Sequence, residues 1–339
     1  MPQSTTIRPV PLIFGFVLSP AVRWHLAGGG ALIASLAFLA LSKQPTDIPI
    51  MTLHPVTWLV AIGVIAGGIF LLMPGAVDRL ATSRRMLASM VLVGLASRLI
   101  LFGSEPLLEI DYFRYMWDGG VLAAGENPYA WSPATVLAGH APEAISRLAR
   151  EAGGIVERIN YPHLRTIYPP LAEAVFALAH WLGPWDLMIW RFVLLAFDLT
   201  TLGLLMALLR HLGRAQLWAA VYWWNPLIIQ MFFNAAHMDA ILLPFLLAAM
   251  LLALRLRPAA AAAMLAMAGA VKLWPALLLP TLLSYKRRPW LKVVGATALF
   301  ACGGLVLLAP LFVTGLGEGS GLSAYAVSWE RNDALFRAL

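Results

Sequence analysis

The chain has 339 residues, of which 60% are hydrophobic and 12% charged, and its mean hydropathy is +0.78. Soluble domains carry about 25% charged residues, so a soluble enzyme and a disordered tail are excluded, and the single Cys302 excludes a disulfide framework or a Cys-based zinc site within the chain. A net charge of +7 in so apolar a chain reports basic loops beside a membrane rather than nucleic-acid binding.

Uncharged runs of about 17–25 residues are long enough to cross a bilayer. The N-terminal stretch 10–19 is too short, and it lacks a small-residue cleavage site before Arg23 and His25, so it does not read as a removed signal peptide. Candidate spans follow at 26–42, 52–77 and 86–103. The long polar loop 104–170, with the start of the next helix, holds more than half of the 17 Asp and Glu residues, and loops of this length in a compact protein are usually functional. Within it, 109–120 reads EIDYFRYMWDGG. On a helix, Asp111, Arg114, Tyr115 and Asp118 share one face, with Tyr112, Phe113 and Trp117 supplying aromatic bulk at a membrane interface and Gly119 and Gly120 ending the helix. That face either presents carboxylate, cation and carboxylate beside lipid headgroups, or forms a local salt-bridge cluster.

Asn127, Pro128 and Tyr129 make an extended turn. In 160–170 (NYPHLRTIYPP), His163 and Arg165 return towards the membrane with Tyr168 behind them, though the prolines could simply steer the chain. Segment 170–183 is apolar but short, so we expect an interfacial or re-entrant helix. Span 187–209 carries Arg191 and Asp198, two turns apart, which read as bracing the bundle. Span 216–234 ends at Asn234, and His237 and Asp239 flank a tight turn before span 240–254. In 258–285 the sole charge is Lys272, where either two short spans meet or one long span bends. An intramembrane ionisable residue is a candidate functional group. Span 293–312 is the last.

With the N-terminus in the cytoplasm, the cytoplasmic loops collect Arg8, Arg23, Arg79, Arg84, Arg85, Arg210, Arg214, Arg255, Arg257, Lys286, Arg287, Arg288 and Lys292, more than half of the 24 Lys and Arg residues. The expected fold is an all-α polytopic transmembrane helix bundle of about nine spans. Its parts are N-terminal spans in 1–103, an extracytoplasmic loop with interfacial helices in 104–186, a second set of spans in 187–312 and an extracytoplasmic segment in 313–339.

The stretch 111–129 (DYFRYMWDGGVLAAGENPY), TIYPPL at 166–171, WNPL at 224–227, and Lys272 with Pro275 resemble multi-spanning glycosyltransferases of the GT-C superfamily, in particular the polyprenyl-phosphate-mannose-dependent mannosyltransferases. Relatives carry an acidic pair before the Tyr-Arg-Tyr segment; here the pair reads Ile110 and Asp111, which favours Asp111 as the functional acid. The group usually continues with further spans, so an end at Leu339, soon after Trp329, implies a short or truncated variant.

The resemblance implies transfer of a hexose, mannose first, from a polyprenyl-phosphate donor to a glycan or lipid acceptor outside the membrane. The residues suit that chemistry. An attacking sugar hydroxyl must lose a proton, and Asp111 is the candidate base. The leaving phosphate needs fixed cations, for which Arg114, Arg165, Lys272 and His163 are candidates. Asp118, Tyr115, Tyr168, His237 and Asp239 would shape the sugar or acceptor site. A lipid monophosphate can be held without a divalent ion, so the expectation is an inverting transfer with no metal and no cofactor. The setting would be the inner (plasma) membrane, with membrane lipid as surroundings and no nucleic-acid partner. Competing readings are a transporter or lipid flippase, which would place its substrate at midplane on broken helices, and a non-catalytic scaffold.

Overall fold

The computed structural model describes residues 18–43, 53–107, 109–284, 289–317 and 319–328. Arg8, Lys286, Arg287, Arg288 and Trp329 lie outside them. Regular structure among the described residues is entirely helical. Helix α1 (Pro20–Ser42) starts where the Ser19 hydroxyl accepts the Val22 N–H and Pro20 fills the first turn. It is followed by α2 (Leu53–Phe70), the short α3 (Pro74–Val77) and α4 (Arg84–Phe102), which Ser83 caps. The polar loop holds α5 (Tyr112–Ala123), α6 (Pro133–Leu137), α7 (Glu143–Glu151) and α8 (Pro170–Leu182). Asp186 caps α9 (Leu187–His211) through the Met188 and Ile189 N–H groups. The remainder comprises α10 (Ala220–Trp223), α11 (Pro226–Ile229), α12 (Leu242–Leu254), α13 (Pro258–Val271), α14 (Leu279–Ser284), α15 (Trp290–Thr314) and α16 (Gly321–Ser328).

Five helices, Pro20–Ser42, Thr57–Val77, Arg84–Phe102, Leu187–His211 and Trp290–Thr314, are long and apolar enough to cross a membrane, and a sixth crossing results if a bent pair counts as one. The remaining expected crossings are short, broken or bent. Segment 170–183, expected not to cross, forms the 13-residue α8, well under the roughly 20 residues a crossing needs. Around Lys272 two short helices meet: α13 ends and Lys272 takes an extended backbone before the chain turns again.

The expected continuous span 216–234 is corrected by the structure, which breaks it at Asn225 and Pro226. Proline has no N–H and its ring collides with the carbonyl four residues back, so the ladder stops there. The Asn225 side chain caps the new start by accepting the Leu227 N–H at 3.0 Å. The released Trp223 carbonyl accepts a 2.7 Å bond from Arg98 Nη1. Arg98 also pairs through Nε with Asp198 at 2.5 Å and lies 3.4 Å over the Trp223 ring, while the Tyr222 hydroxyl donates to Asp198. Beyond a π turn at Gln230–Asn234 the chain bends by 108° into Met238–Leu254.

Arg191 closes this bend onto the bundle. Its Nη1 donates to the Phe102 carbonyl at 2.7 Å, and its Nη2 to those of Ser104 and Asn234 at 2.8 and 3.1 Å, serving the helix-end carbonyls that otherwise lack partners. Arg191 and Asp198 thus brace the bundle, as their spacing suggests, each through partners on other segments. Trp190 Nε1 donates to the Ala236 carbonyl at 2.8 Å, so the bend sits beside the first turns of α9. Arg210 and Arg214 lie at the other end of that helix, about 30 Å away at 1.5 Å per residue. Among the described residues the core is one large buried cluster, in which α1 packs on α2 and α4, α5 on α8, and α9 on α12, and a small second one of Ala262, Leu283 and Ala296; α13 lies between α12 and α15.

Candidate active site

Helix α5 is enclosed by protein on almost every side: Tyr112, Phe113, Arg114, Tyr115, Trp117 and Asp118 are all buried. Gly119 and Gly120 do not end it. A Cβ at Gly119 would come within 2.5 Å of the Phe176 backbone, and one at Gly120 within 2.3 Å of the Trp185 ring. Gly119 lets α5 and α8 approach closely and Gly120 makes room for Trp185 beyond α8, and the helix runs on to Ala123.

At the start of α5, Asp111 is half-buried and its side chain makes no capping bond. Instead Oδ1 accepts from Asn160 Nδ2 at 3.2 Å. Arg114 holds the loop that supplies Asn160: its Nη2 donates to the carbonyls of Asn160, Tyr161 and Leu164 at 3.3, 3.4 and 3.1 Å. Among the described residues no ion pair within 4.0 Å joins Arg114 to Asp111 or Asp118, so the local salt-bridge cluster is not what forms.

Tyr115, 1% exposed, is the hub. Its ring lies 5.1 Å from Tyr168, 4.8 Å from Phe176 and 6.2 Å edge-on from His237. Burial, then the neighbouring Tyr168 and Asp111, hold its hydroxyl protonated well above the usual range, and Asp239 adds to the effect. Burial and Asp111 do the same to Tyr168. The bend of the broken segment brings the opposite wall. His237 Nδ1 lies 3.2 Å from Asp239 Oδ2, and Lys272 Nζ donates to Asp239 Oδ1 at 2.6 Å. Lys272 remains 44% exposed in its side chain, so this ion pair is open rather than sealed. Backbone strain flanks the site on both sides, with Tyr161 at φ +50° and Ala236, just before His237, at φ +55°. Such strain persists only where the surrounding structure imposes it.

Of the ten candidate residues, Asp111, Tyr115, Tyr168, His237, Asp239 and Lys272 therefore gather, with Arg114 directly behind Asp111. Asp118 lies deeper, in a buried pair with Glu173. The Thr166 hydroxyl donates to Glu173 Oε1 at 2.8 Å, while Asp118 Oδ2 and Glu173 Oε2 have no hydrogen-bond partner. Burial pushes the Asp118 carboxyl up to about 6 against the pull of Arg114, and burial together with Asp118 raises Glu173 well above the usual range. Arg165 ties the loop to the end of α15, its Nη1 donating to the Tyr129 and Thr314 carbonyls, both at 3.2 Å. His163 is exposed on the loop beside Tyr161.

Two participants were not singled out from sequence. Asn160 opens the same NYPH segment as His163, and Glu173 stands in the first turn after the Pro169 and Pro170 pair; a carboxyl or amide next to a proline-set turn was the available signal. No three His, Cys, Asp or Glu side chains among the described residues stand close enough to hold a metal ion.

Comparison with known protein families matches residues 13–286 to the alpha-(1->6)-mannopyranosyltransferase N-terminal domain of the MptA_B family. No curated protein and no solved structure matches the chain. The family match spans most of the chain, including the whole polar loop, the bend at His237 and Lys272. The chain belongs to the MptA_B family of alpha-(1->6)-mannopyranosyltransferases and is a membrane glycosyltransferase.

Proposed function

We propose that the chain moves mannose from a polyprenyl-phosphate donor to the primary hydroxyl of a glycan or glycolipid acceptor, by a single inverting displacement. The observation that carries this reading is the meeting of Asp111, from the polar loop, with the Lys272–Asp239–His237 cluster across Tyr115. The acceptor O–H gives its proton to Asp111 as its oxygen bonds to the anomeric carbon. The bond from that carbon to the phosphate oxygen breaks, and the phosphate leaves with the electron pair. Lys272 stands where that charge develops, within a polar cluster that need not reorganise. An α product by inversion requires a β-configured donor. Tyr115, Tyr168, His237 and Asp239 line the sugar, Arg114 sets Asp111 through Asn160, and Arg165, His163 and Asp118 support the loop.

The site lies at the end of α9 opposite Arg210 and Arg214. Basic loops mark the cytoplasmic side, which supports an extracytoplasmic site in the inner (plasma) membrane. The nine-span reading, with 1–103 and 187–312 as the membrane bundle, 104–186 as the catalytic loop and 313–339 as an outer segment, belongs to the same proposal.

The bent helix pair ending in an ion pair also suits a transporter or flippase, and one assay separates the two. Purified protein in detergent is given polyprenyl-phosphate mannose, glucose, galactose or arabinose with acceptor lipid extract, with and without chelator. Mannose transfer that survives chelator and falls about 10²–10⁴-fold in Asp111→Asn supports the base mechanism. Loss in chelator sinks the metal-free reading. A folded protein that transfers no sugar, yet moves the lipid across vesicles, sinks the transferase reading.

A further inference from the structure

A large cavity lies away from this site, towards the end of α9 that carries Arg210 and Arg214. It holds about 800 Å³, within the roughly 300–1,000 Å³ span of small-molecule sites. Its walls are mostly apolar side chains of α9, α12 and the broken segment between them, among them Leu205, Ile228 and Leu246, with Thr201, Tyr222 and Asn225 as polar members. Because α9 is a membrane-crossing helix by length and composition, this wall stands in hydrocarbon. A mostly apolar groove there takes up an apolar chain in preference to water.

The two charges that line it, Asp78 and Arg214, are exposed and of opposite sign. No ion pair within 4.0 Å joins them among the described residues. Their sequence neighbours Arg79 and Arg210 do not line the cavity. An anionic headgroup would satisfy Arg214 and be repelled by Asp78. A quaternary ammonium has no N–H for Asp78 to accept, and a neutral sugar lipid would answer neither charge. We infer that the cavity binds a glycerophospholipid whose headgroup carries both a phosphate and a primary ammonium. The phosphate sits on Arg214, the ammonium on Asp78, and an acyl chain lies between α9 and α12. This is a resident lipid, separate from any donor lipid at the other end of the bundle, and it does not depend on the transferase reading.

The test is the lipid that stays with the full-length protein through purification in mild detergent, read by native mass spectrometry. After delipidation, phosphatidylethanolamine, phosphatidylcholine, phosphatidylglycerol and polyprenyl phosphate are re-added singly. Phosphatidylethanolamine should be retained in preference, and its retention should fall several-fold in Arg214→Gln, in Asp78→Asn and in Leu246→Trp, which fills the cavity. Should Leu246→Trp fail to fold, the two exposed-charge variants decide the matter. Preferential retention of phosphatidylglycerol, phosphatidylcholine or polyprenyl phosphate overturns the inference, as does wild-type retention of phosphatidylethanolamine by Arg214→Gln and Asp78→Asn.

Discussion

Asp118 and Glu173 are each about 1% exposed and share one small polar pocket through Thr166. Both carboxyls have a folded pKa raised above its unfolded value, so the fold favours their neutral forms. Their stabilising state is complete at acid pH, and stability falls as pH rises from about 4, the unfolded carboxylate value, through about 6 for Asp118, and further as Glu173 ionises. Asp118→Asn keeps the neutral shape and removes that ionisation. Its melting temperature should therefore change less between about pH 4 and 6 than that of wild type. Glu173→Gln should flatten the decline at higher pH. Equal pH slopes in wild type and both variants would show that the pair does not titrate as its burial requires. The pattern of α5 made Asp118 legible, since a carboxylate seven residues from Asp111 lies on the same face. Glu173 was not, because its partner Thr166 is buried only once the Pro169 and Pro170 turn folds α8 back over α5.

At the scale of elements, the close packing of α5 on α8 positions Asp111. Gly119→Ala would put a methyl group within 2.5 Å of the Phe176 backbone, a contact that backbone on both sides must yield to. Overpacking of this kind costs about 1–3 kcal/mol. The variant should melt at a lower temperature and transfer sugar more slowly, while Gly125→Ala, where no atom lies within 4 Å of the added carbon but φ is +80°, should lower stability through backbone strain without shifting α5 against α8. Comparable loss of transfer per degree of melting in both would argue against a positioning role. The two glycines in sequence read as a helix stop because glycine disfavours helix interiors. The close approach of Phe176 and Trp185, more than fifty residues on, overrides that preference. The break at Pro226 illustrates the converse: apolar composition made 216–234 look like one span, and only the cap by Asn225 and the partner Arg98 make a break there tolerable. Lys272, by contrast, was legible as the one charge in an apolar run.

Across the whole molecule, the two ends of α9 serve different surroundings, and a buried network near the middle of the bundle keeps them in register. Arg98 and Asp198 have no side-chain exposure and sit within two of the helices that are long and apolar enough to cross a membrane. Arg98 joins α4, α9 and the broken segment by holding Asp198 and the Trp223 carbonyl together. Removing one member of such a pair leaves the other charge buried without its partner, which costs about 3–5 kcal/mol, whereas replacing both with apolar groups is often close to neutral. Arg98→Met should therefore lower the apparent melting temperature in detergent strongly, and Arg98→Met with Asp198→Leu should recover much of the loss. Recovery should stay incomplete, because the Trp223 carbonyl, whose helical partner Leu227 N–H is taken by Asn225, loses its donor, and the Tyr222 hydroxyl loses its acceptor, in the double variant. If the double variant melts no higher than the single one, the pair is not what holds the break. If it melts at the wild-type temperature, the freed backbone carbonyl finds another donor and Arg98 matters only as a counter-charge. Transfer separates those cases: a break that shifts without Arg98 displaces the bend carrying His237 and Asp239, so activity should fall in the double variant even where melting recovers.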